Sequence, residues 1–319
     1  MTPASSTPSR GRSCHLSKVA TYLLSGASGF IGTRLARSLA ADGHRVVALT
    51  RSGVATSNQI PWDPAASRID IARLRDVAPE VVINLAGEPI AHRWTTRRKA
   101  AIRESRIVGT TALARALASL PVPPKVLVSG SGIHYYGFDR GDELLREDSS
   151  PGDGFLATVS GEWERATAPA AEAGIRVVLS RTGIVLGKEG GALERMVLPY
   201  RFFVGGPLGS GGHWMSWIAV DDAVRAIRFL AETPAVSGAV NLVGPDPVRN
   251  KDFATTLGRV LHQPSWFPVP AFVLRALFST MADEQALSSL RVAPHRLGGA
   301  GFEFRHPRLE EALRFELRR

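Results

Sequence analysis

Three glycines stand at positions 26, 29 and 32, directly after the apolar run from Val19 to Leu24. The spacing Gly-x-x-Gly-x-x-Gly suits one kind of chemistry, the holding of an anion on bare main chain. Gly26 permits a tight turn out of a strand, Gly29 lets a ligand approach the backbone, and Gly32 lets the next helix press against the sheet. Ser28, Phe30 and Ile31 complete the turn. The N–H groups of that helix's first turn, with its dipole, then hold the pyrophosphate of a dinucleotide. A glycine triplet alone is weak, but here a strand precedes it, a helix over 32–41 follows, and a second strand over 45–50 comes next.

The end of that second strand speaks to the choice of coenzyme. A site for NAD usually carries an acid about 20 residues past the glycines to bind the ribose 2′-hydroxyl. This strand ends in Thr50-Arg51-Ser52, and no acid occurs between Asp42 and Asp63. A guanidinium grips a 2′-phosphate where a carboxylate would repel it, so the expected coenzyme is NADP(H). The competing reading is that Arg51 is an ordinary solvated loop arginine.

The elements that must position these residues alternate along the chain. Apolar runs at 81–87, 125–129, 175–180 and 239–243 read as buried strands. Helical patterns fall at 95–118, 155–173 and 220–231, the first halted by Pro121, Pro123 and Pro124 and the second by Gly174. Such alternation predicts an α/β fold, a doubly wound parallel sheet covered on both faces. From residue 246 the pattern becomes mainly helical (250–262, 270–280, 308–317), which predicts a smaller C-terminal lobe on the substrate side. A coenzyme domain is thus expected over 19–245, with insertions around 188–215 belonging to the substrate lobe.

The length of 319 residues suits one large domain plus a lobe, and 44% hydrophobic with 21% charged residues is the composition of a folded globular protein. No run of about 18 uncharged apolar residues occurs, so no membrane span is expected. Cys14 is the only cysteine, which excludes an intrachain disulfide. The histidines lack ligand spacing, so no metal site is expected.

The net charge of +10 points to anionic ligands, coenzyme phosphates and an acidic small substrate, or else to an arginine-rich genome. Its densest cluster is Arg93, Arg97, Arg98, Lys99, Arg103 and Arg106. A nucleic-acid partner is not expected, since no aromatic-basic motif interleaves with these charges. Residues 1–18 are rich in Ser, Pro, Thr and Arg and contain no acid, so a disordered tail is expected. The same composition suits an organellar transit peptide, and the expected location is otherwise the cytoplasm.

Several further stretches carry a resemblance. They are Ile83-Asn84-Leu85-Ala86-Gly87-Glu88-Pro89-Ile90, Ile102-Arg103-Glu104-Ser105-Arg106, Tyr135-Tyr136-Gly137, Ser180-Arg181-Thr182-Gly183-Ile184-Val185-Leu186-Gly187, Gly206-Pro207-Leu208-Gly209-Ser210-Gly211, and the segment from Pro268 to Arg275. With the glycine turn, the chain from about 19 to 317 resembles the extended short-chain dehydrogenase/reductase superfamily. More narrowly it resembles the atypical "epimerase family" branch with a C-terminal domain of unknown function. The resemblance implies a Rossmann sheet, with Leu85, Ala86 and Gly87 beside the adenine ribose. It matches Arg106 to the Asn of the superfamily's Asn-Val-x-Gly-Thr stretch, where Arg would give coenzyme or substrate a second cation. It also places Arg181 near the nicotinamide, with a structural salt bridge as the alternative.

The superfamily's chemistry needs a Ser or Thr, then a Tyr with a Lys four residues on, which lowers the phenol's pKa. Ser131 is in place, but the matching helix begins Gly154-Phe155-Leu156-Ala157-Thr158-Val159, with no Tyr and no Lys. Tyr135, Tyr136, His134 and Glu88 are the substitute acids, and Ser131 with Tyr135 is the catalytic pair expected. Two decoys fall away. Gly183 to Lys188 has three residues between its glycines where a phosphate-binding loop has four, and Ser131 lacks the glycines two positions away that a nucleophile elbow requires. The expected function is an NADP(H)-dependent oxidoreductase or epimerase for a sugar nucleotide or other small carbonyl or hydroxyl compound. The alternative is a non-catalytic NADP(H)-binding sensor.

Overall fold

Apolar runs without alternation become central strands because both faces of the sheet are covered. In a computed structural model, which describes residues 19–51 and 56–317, β1 (Thr21–Ser25) sends Tyr22 and Leu24 to one face and Leu23 to the other. β2 (Arg45–Thr50), β3 (Gln59–Asp63), β4 (Arg68–Ile69), β5 (Val81–Asn84) and β6 (Val126–Gly132) follow. Between them lie α1 (Phe30–Ala41), α2 (Ile71–Val77) and α3 (Thr96–Ala118). Next come β7 (Asp139–Leu145), α4 (Phe155–Arg165), α5 (Ala168–Glu172), β8 (Arg176–Thr182), β9 (Ile184–Leu186) and α6 (Gly191–Arg201). The remaining elements are β10 (Trp214–Met215), β11 (Trp217–Ala219), α7 (Val220–Glu232), β12 (Gly238–Leu242), β13 (Val248–Arg249), α8 (Asn250–Leu261), α9 (Ala271–Phe278), β14 (Ser289–Val292), α10 (His295–Gly299) and α11 (Leu309–Leu317).

The main sheet has eight strands in the order β12-β8-β6-β5-β1-β2-β3-β4. All neighbours run parallel except β4, which pairs antiparallel with β3 at the edge. The order reverses at β1, between β2 and β5, and the crevice above such a switch point is where a doubly wound sheet binds its ligand. Leu35 and Leu39 of α1 and Ala223, Ile227 and Leu230 of α7 bury one face. Leu74 of α2, Leu113 and Leu117 of α3 and Ala170 of α5 bury the other. This is the Rossmann-like, doubly wound α/β fold expected, with a mainly helical C-terminal part.

Two expectations need correction. The edge strand β4 makes the sheet mixed. The single helix expected over 155–173 is two, α4 and α5, broken at Ala166 and Thr167, because Pro169 lacks the N–H that a continuous helix would use. The C-terminal chain threads back through the molecule. β14 pairs with β7, Leu297 and Phe302 join the main core, and Leu309 and Leu313 pack with Leu186, Trp217 and Phe253.

Candidate functional site

The turn between β1 and α1 is built for main-chain contact. Gly26 has φ +69°, and a Cβ there would stand 2.8 Å from the carbonyl carbon and oxygen of Leu85. A Cβ on Gly32 would fall 2.1 Å from the Gly26 carbonyl oxygen. The Gly29 N–H donates to that oxygen at 2.9 Å, and the Thr33 hydroxyl donates to the Ala27 carbonyl at 3.2 Å. No side chain caps α1 and no acid lies in its first turn, so its free N–H groups and dipole face outward beside exposed Ser28 and Gly29. Phe30 points elsewhere. Its ring fills the space above Gly187, Gly190 and Gly191, with the Arg34 guanidinium 4.8 Å over it. Ile31 packs on the main core.

The loop after β5 forms the facing wall, and a buried polar row holds it. Parallel register sets Ser25 beside Asn84 and Asn84 beside Ser129. Asn84 Nδ2 donates to Thr110 at 2.8 Å and Ser129 at 3.2 Å, and its Oδ1 accepts from Ser25 at 2.6 Å. The Ala86 N–H donates to Ser25, and Trp163 donates to Thr110. Leu85 and Ala86 are thereby fixed against Gly26. Gly87 is exposed, and a Cβ on it would lie 3.2 Å from the Arg106 guanidinium carbon.

Arg106 Nη1 donates to the carbonyls of Glu88 and Ile102, and the guanidinium sits 5.1 Å from the Trp163 ring centroid. Among the described residues no carboxylate lies within ion-pair distance of it, and burial pushes its pKa down to about 10. Thr50 and exposed Arg51 end β2 and line a cavity of about 810 Å³ with Trp62, Asp63, Arg68 and Arg115. Ser52 and residues 1–18, with Cys14, lie outside the described residues.

Past the end of β6 the sequence expectations meet a second polar row. Register aligns Ser131 with Arg181 and Arg181 with Asn241. The Ser131 hydroxyl donates to Glu164 Oε1 at 2.7 Å, and Arg181 grips the same carboxylate through Nε at 2.8 Å and Nη2 at 2.9 Å. Arg181 Nη1 donates to the Tyr136 hydroxyl and the Glu147 carbonyl, and Tyr136 donates to Asn241. The Tyr135 ring lies 3.5 Å beneath the Arg181 guanidinium and is half-buried. Four of the five N–H donors of Arg181 are spent on the protein and the residue is 4% exposed. The expectation that Arg181 contacts coenzyme is therefore corrected to the structural salt bridge. Nothing local announces its partner Glu164, which register and helix packing bring in.

Contacts also settle which face of α4 looks at β6. Glu164 reaches Ser131, and Ser160 Oγ stands 3.9 Å from where a Gly132 Cβ would be. Ser160 and Glu164 thus face β6, as does Trp163, whose ring would lie 2.9 Å from a Cβ on Gly130, while Leu156 packs with Trp94, Ile102 and Met281. Glu88 is paired with Arg98 at 2.8 Å, and Arg103 with Glu162 at 2.6 Å. Lys99 sits over the rings of Trp94 and Phe155 at 5.4 and 5.0 Å.

Beyond the glycine-rich loop 205–212, Trp214 is flanked by the guanidiniums of Arg249 and Arg291 at 4.1 and 4.7 Å, and its indole donates to Asp142 at 2.7 Å. The imidazoles of His134 and His213 each bury an Nε2 without a partner, and burial pushes both pKa values down to about 4. Among the described residues no helix is long and apolar enough to cross a membrane, and no three His, Cys, Asp or Glu converge as for a metal ion.

Residues 269–316 match a domain of unknown function (DUF1731). An epimerase family protein of Mycobacterium bovis is 41% identical over 295 residues, covering 92% of this chain and 96% of that protein. A chloroplastic epimerase family protein of Arabidopsis thaliana is 38% identical over 310 residues, covering 92% and 86%. The crystal structure of human epimerase family protein SDR39U1 with NADPH superposes with a TM-score of 0.83 at 33% identity, covering 93% of this chain and 98% of that one. A nucleoside-diphosphate sugar epimerase of Corynebacterium glutamicum superposes with a TM-score of 0.75 at 35% identity, covering 94% and 58%. Residues 22–243, which include the glycine turn and both polar rows, match the NAD dependent epimerase/dehydratase family, and the chain belongs to that family.

Proposed function

We propose that this chain binds NADP(H) across β1, β2 and β5 and acts as an oxidoreductase or epimerase on a small anionic carbonyl or hydroxyl compound such as a sugar nucleotide. The observation that carries the reading is the cradle of Gly26, Gly32 and Gly87, where side chains would collide with backbone or with Arg106, opening onto an uncapped helix N-terminus. Arg51, at the end of β2 with Thr50, supplies the cation for a 2′-phosphate. The human relative described with NADPH and the bacterial relative described as a nucleoside-diphosphate sugar epimerase support the choice of ligands.

When bound, the coenzyme donates or accepts hydride. The residues of this chain do the rest. Ser28, Phe30 and Ile31 offer backbone N–H groups, Leu85 to Gly87 form the opposite wall, and Arg106 presents a half-buried cation beside Gly87, with no carboxylate paired to it among the described residues. The Ser131 hydroxyl donates its hydrogen bond to Glu164, and its oxygen is left to accept one from a substrate hydroxyl. Tyr135 carries the exchangeable phenolic proton on the same loop. Residues 19–245 hold the coenzyme, and residues 246–319 with the insertions at 188–215 face the substrate. Arg249 is ion-paired with Asp142, and Arg291 beside Trp214 is the cation there that suits an anionic group.

A second reading, a non-catalytic NADP(H) sensor, draws on the engagement of the Ser131 hydroxyl with Glu164 and on the lack of Tyr and Lys in α4. Calorimetry on the purified protein decides the coenzyme. NADPH binds more tightly than NADH, and Arg51→Asp weakens NADPH on the order of 10- to 100-fold while leaving NADH nearly unchanged. Uptake of neither coenzyme defeats the reading. NADPH oxidation by a carbonyl or sugar-nucleotide panel that is lost in Tyr135→Phe supports the enzyme, and tight binding without turnover supports the sensor.

A further inference from the structure

The C-terminal half carries an aromatic face turned to water. Phe202 and Phe203, just past α6, are 68% and 65% exposed, and Trp266, Phe267 and Phe272 are 76%, 53% and 70% exposed. These residues form one surface, because the two loops that carry them are stitched together. Phe267 N–H donates to Gly205, Val269 N–H to Pro207, and Gly209 N–H back to Val269. At about 200 Å² per ring, the five rings leave on the order of 600 Å² of apolar surface in water, as large as the largest patch on a typical monomer. Phe203 also holds φ +62°, a left-handed backbone unfavourable for a bulky residue, in order to stand outward.

The unpaired charge around the rings is positive. No Asp or Glu occurs between Glu194 and Asp221, nor between Asp252 and Asp283, the two stretches that build this face. They contain Arg195, Arg201, Arg259 and Arg275. Arg259 pairs with Glu310, Arg275 with Asp283, and Arg195 donates to the Ala91 carbonyl, while exposed Arg201, next to Phe202, has no ion pair among the described residues. Rings on a loop stiffened by Pro264, Pro268 and Pro270 and at the start of α9, with an adjoining unpaired cation and the nearby carboxylates of Asp283 and Glu310 each held by an arginine, match the boundary between acyl chains and anionic headgroups. We propose that this face rests on an anionic phospholipid bilayer, the rings entering the headgroup layer and Arg201 meeting lipid phosphate.

The test is sedimentation of the full chain with vesicles of phosphatidylcholine, alone or mixed with phosphatidylglycerol. The protein pellets with the mixed vesicles and less with phosphatidylcholine alone. The double variant Trp266→Ser, Phe272→Ser binds about tenfold more weakly, and Arg201→Glu also weakens binding, with thermal midpoints unchanged since all three side chains are exposed. Protein that stays in the supernatant with the mixed vesicles overturns the proposal. So does wild-type binding by the double variant, which would mean attraction by bulk charge alone. Light scattering that finds a dimer dissolved by the same double variant assigns the face to a second copy of the chain and likewise overturns it.

Discussion

Glu164 and Arg181 show how much one buried pair can organise. Burial works against the Arg181 charge, but the Glu164 carboxylate and Tyr136 more than offset it and hold the guanidinium above its ordinary pKa. The pair also fixes the Ser131 proton and, through Tyr136, Asn241. Glu164→Gln leaves a buried guanidinium without its counter-charge, at a cost of about 3 to 5 kcal/mol. Ser131→Ala keeps the pair and costs about 1 kcal/mol. Urea unfolding of the two variants measures the difference, and equal losses would mean that the pair is not what the network depends on. The sequence named Ser131 and Arg181 singly. It could not join them to Glu164, which reaches them from a different element.

At the scale of elements, the β1 turn and α1 are a rigid unit because each glycine presses on fixed backbone. Gly32 meets the Gly26 carbonyl, and Gly26 in turn meets Leu85. Gly32→Ala therefore forces the helix off the sheet, costing about 2 kcal/mol and at least tenfold in NADPH affinity. Gly43→Ala is the control. Its φ is +81° but nothing lies within 4 Å, so it costs about 1 kcal/mol of strain and leaves coenzyme affinity unchanged. A Gly32→Ala protein that binds NADPH as the wild type does would remove the close approach from the account. Long elements such as α1, α3 and α7 were legible from periodicity and stop signals. The short ones, β3, β4 and α2, were not, since two to seven residues carry too little pattern and depend on neighbours already in place.

Across the whole molecule, two neutral imidazoles make stability depend on pH. Burial holds His134 and His213 down to about 4, while an unfolded histidine titrates near 6.5. Between those values the unfolded chain binds more protons than the folded one. Stability is therefore full above about pH 6.5 and falls as the pH drops toward 4, by roughly 2 kcal/mol per imidazole on reaching pH 5. Urea midpoints at pH 7 and pH 5 read this loss, and His134→Gln removes about half of it. A variant with the wild-type slope would assign the effect to other groups.

The amino-acid order alone determined the strand, glycine turn and helix that hold a dinucleotide, the alternation that makes a doubly wound sheet, and the absence of Tyr and Lys from the helix that follows Gly154. Those features are local, written in residues a few positions apart. Tertiary structure decided that Asn84 locks the β5 loop, that Arg181 belongs to Glu164, that Ser160 and Trp163 face β6, and that five aromatic rings stand in water. Each of these rests on the register of strands distant in sequence or on the packing of one element against another, and packing couples residues whose separation along the chain carries no periodic signal.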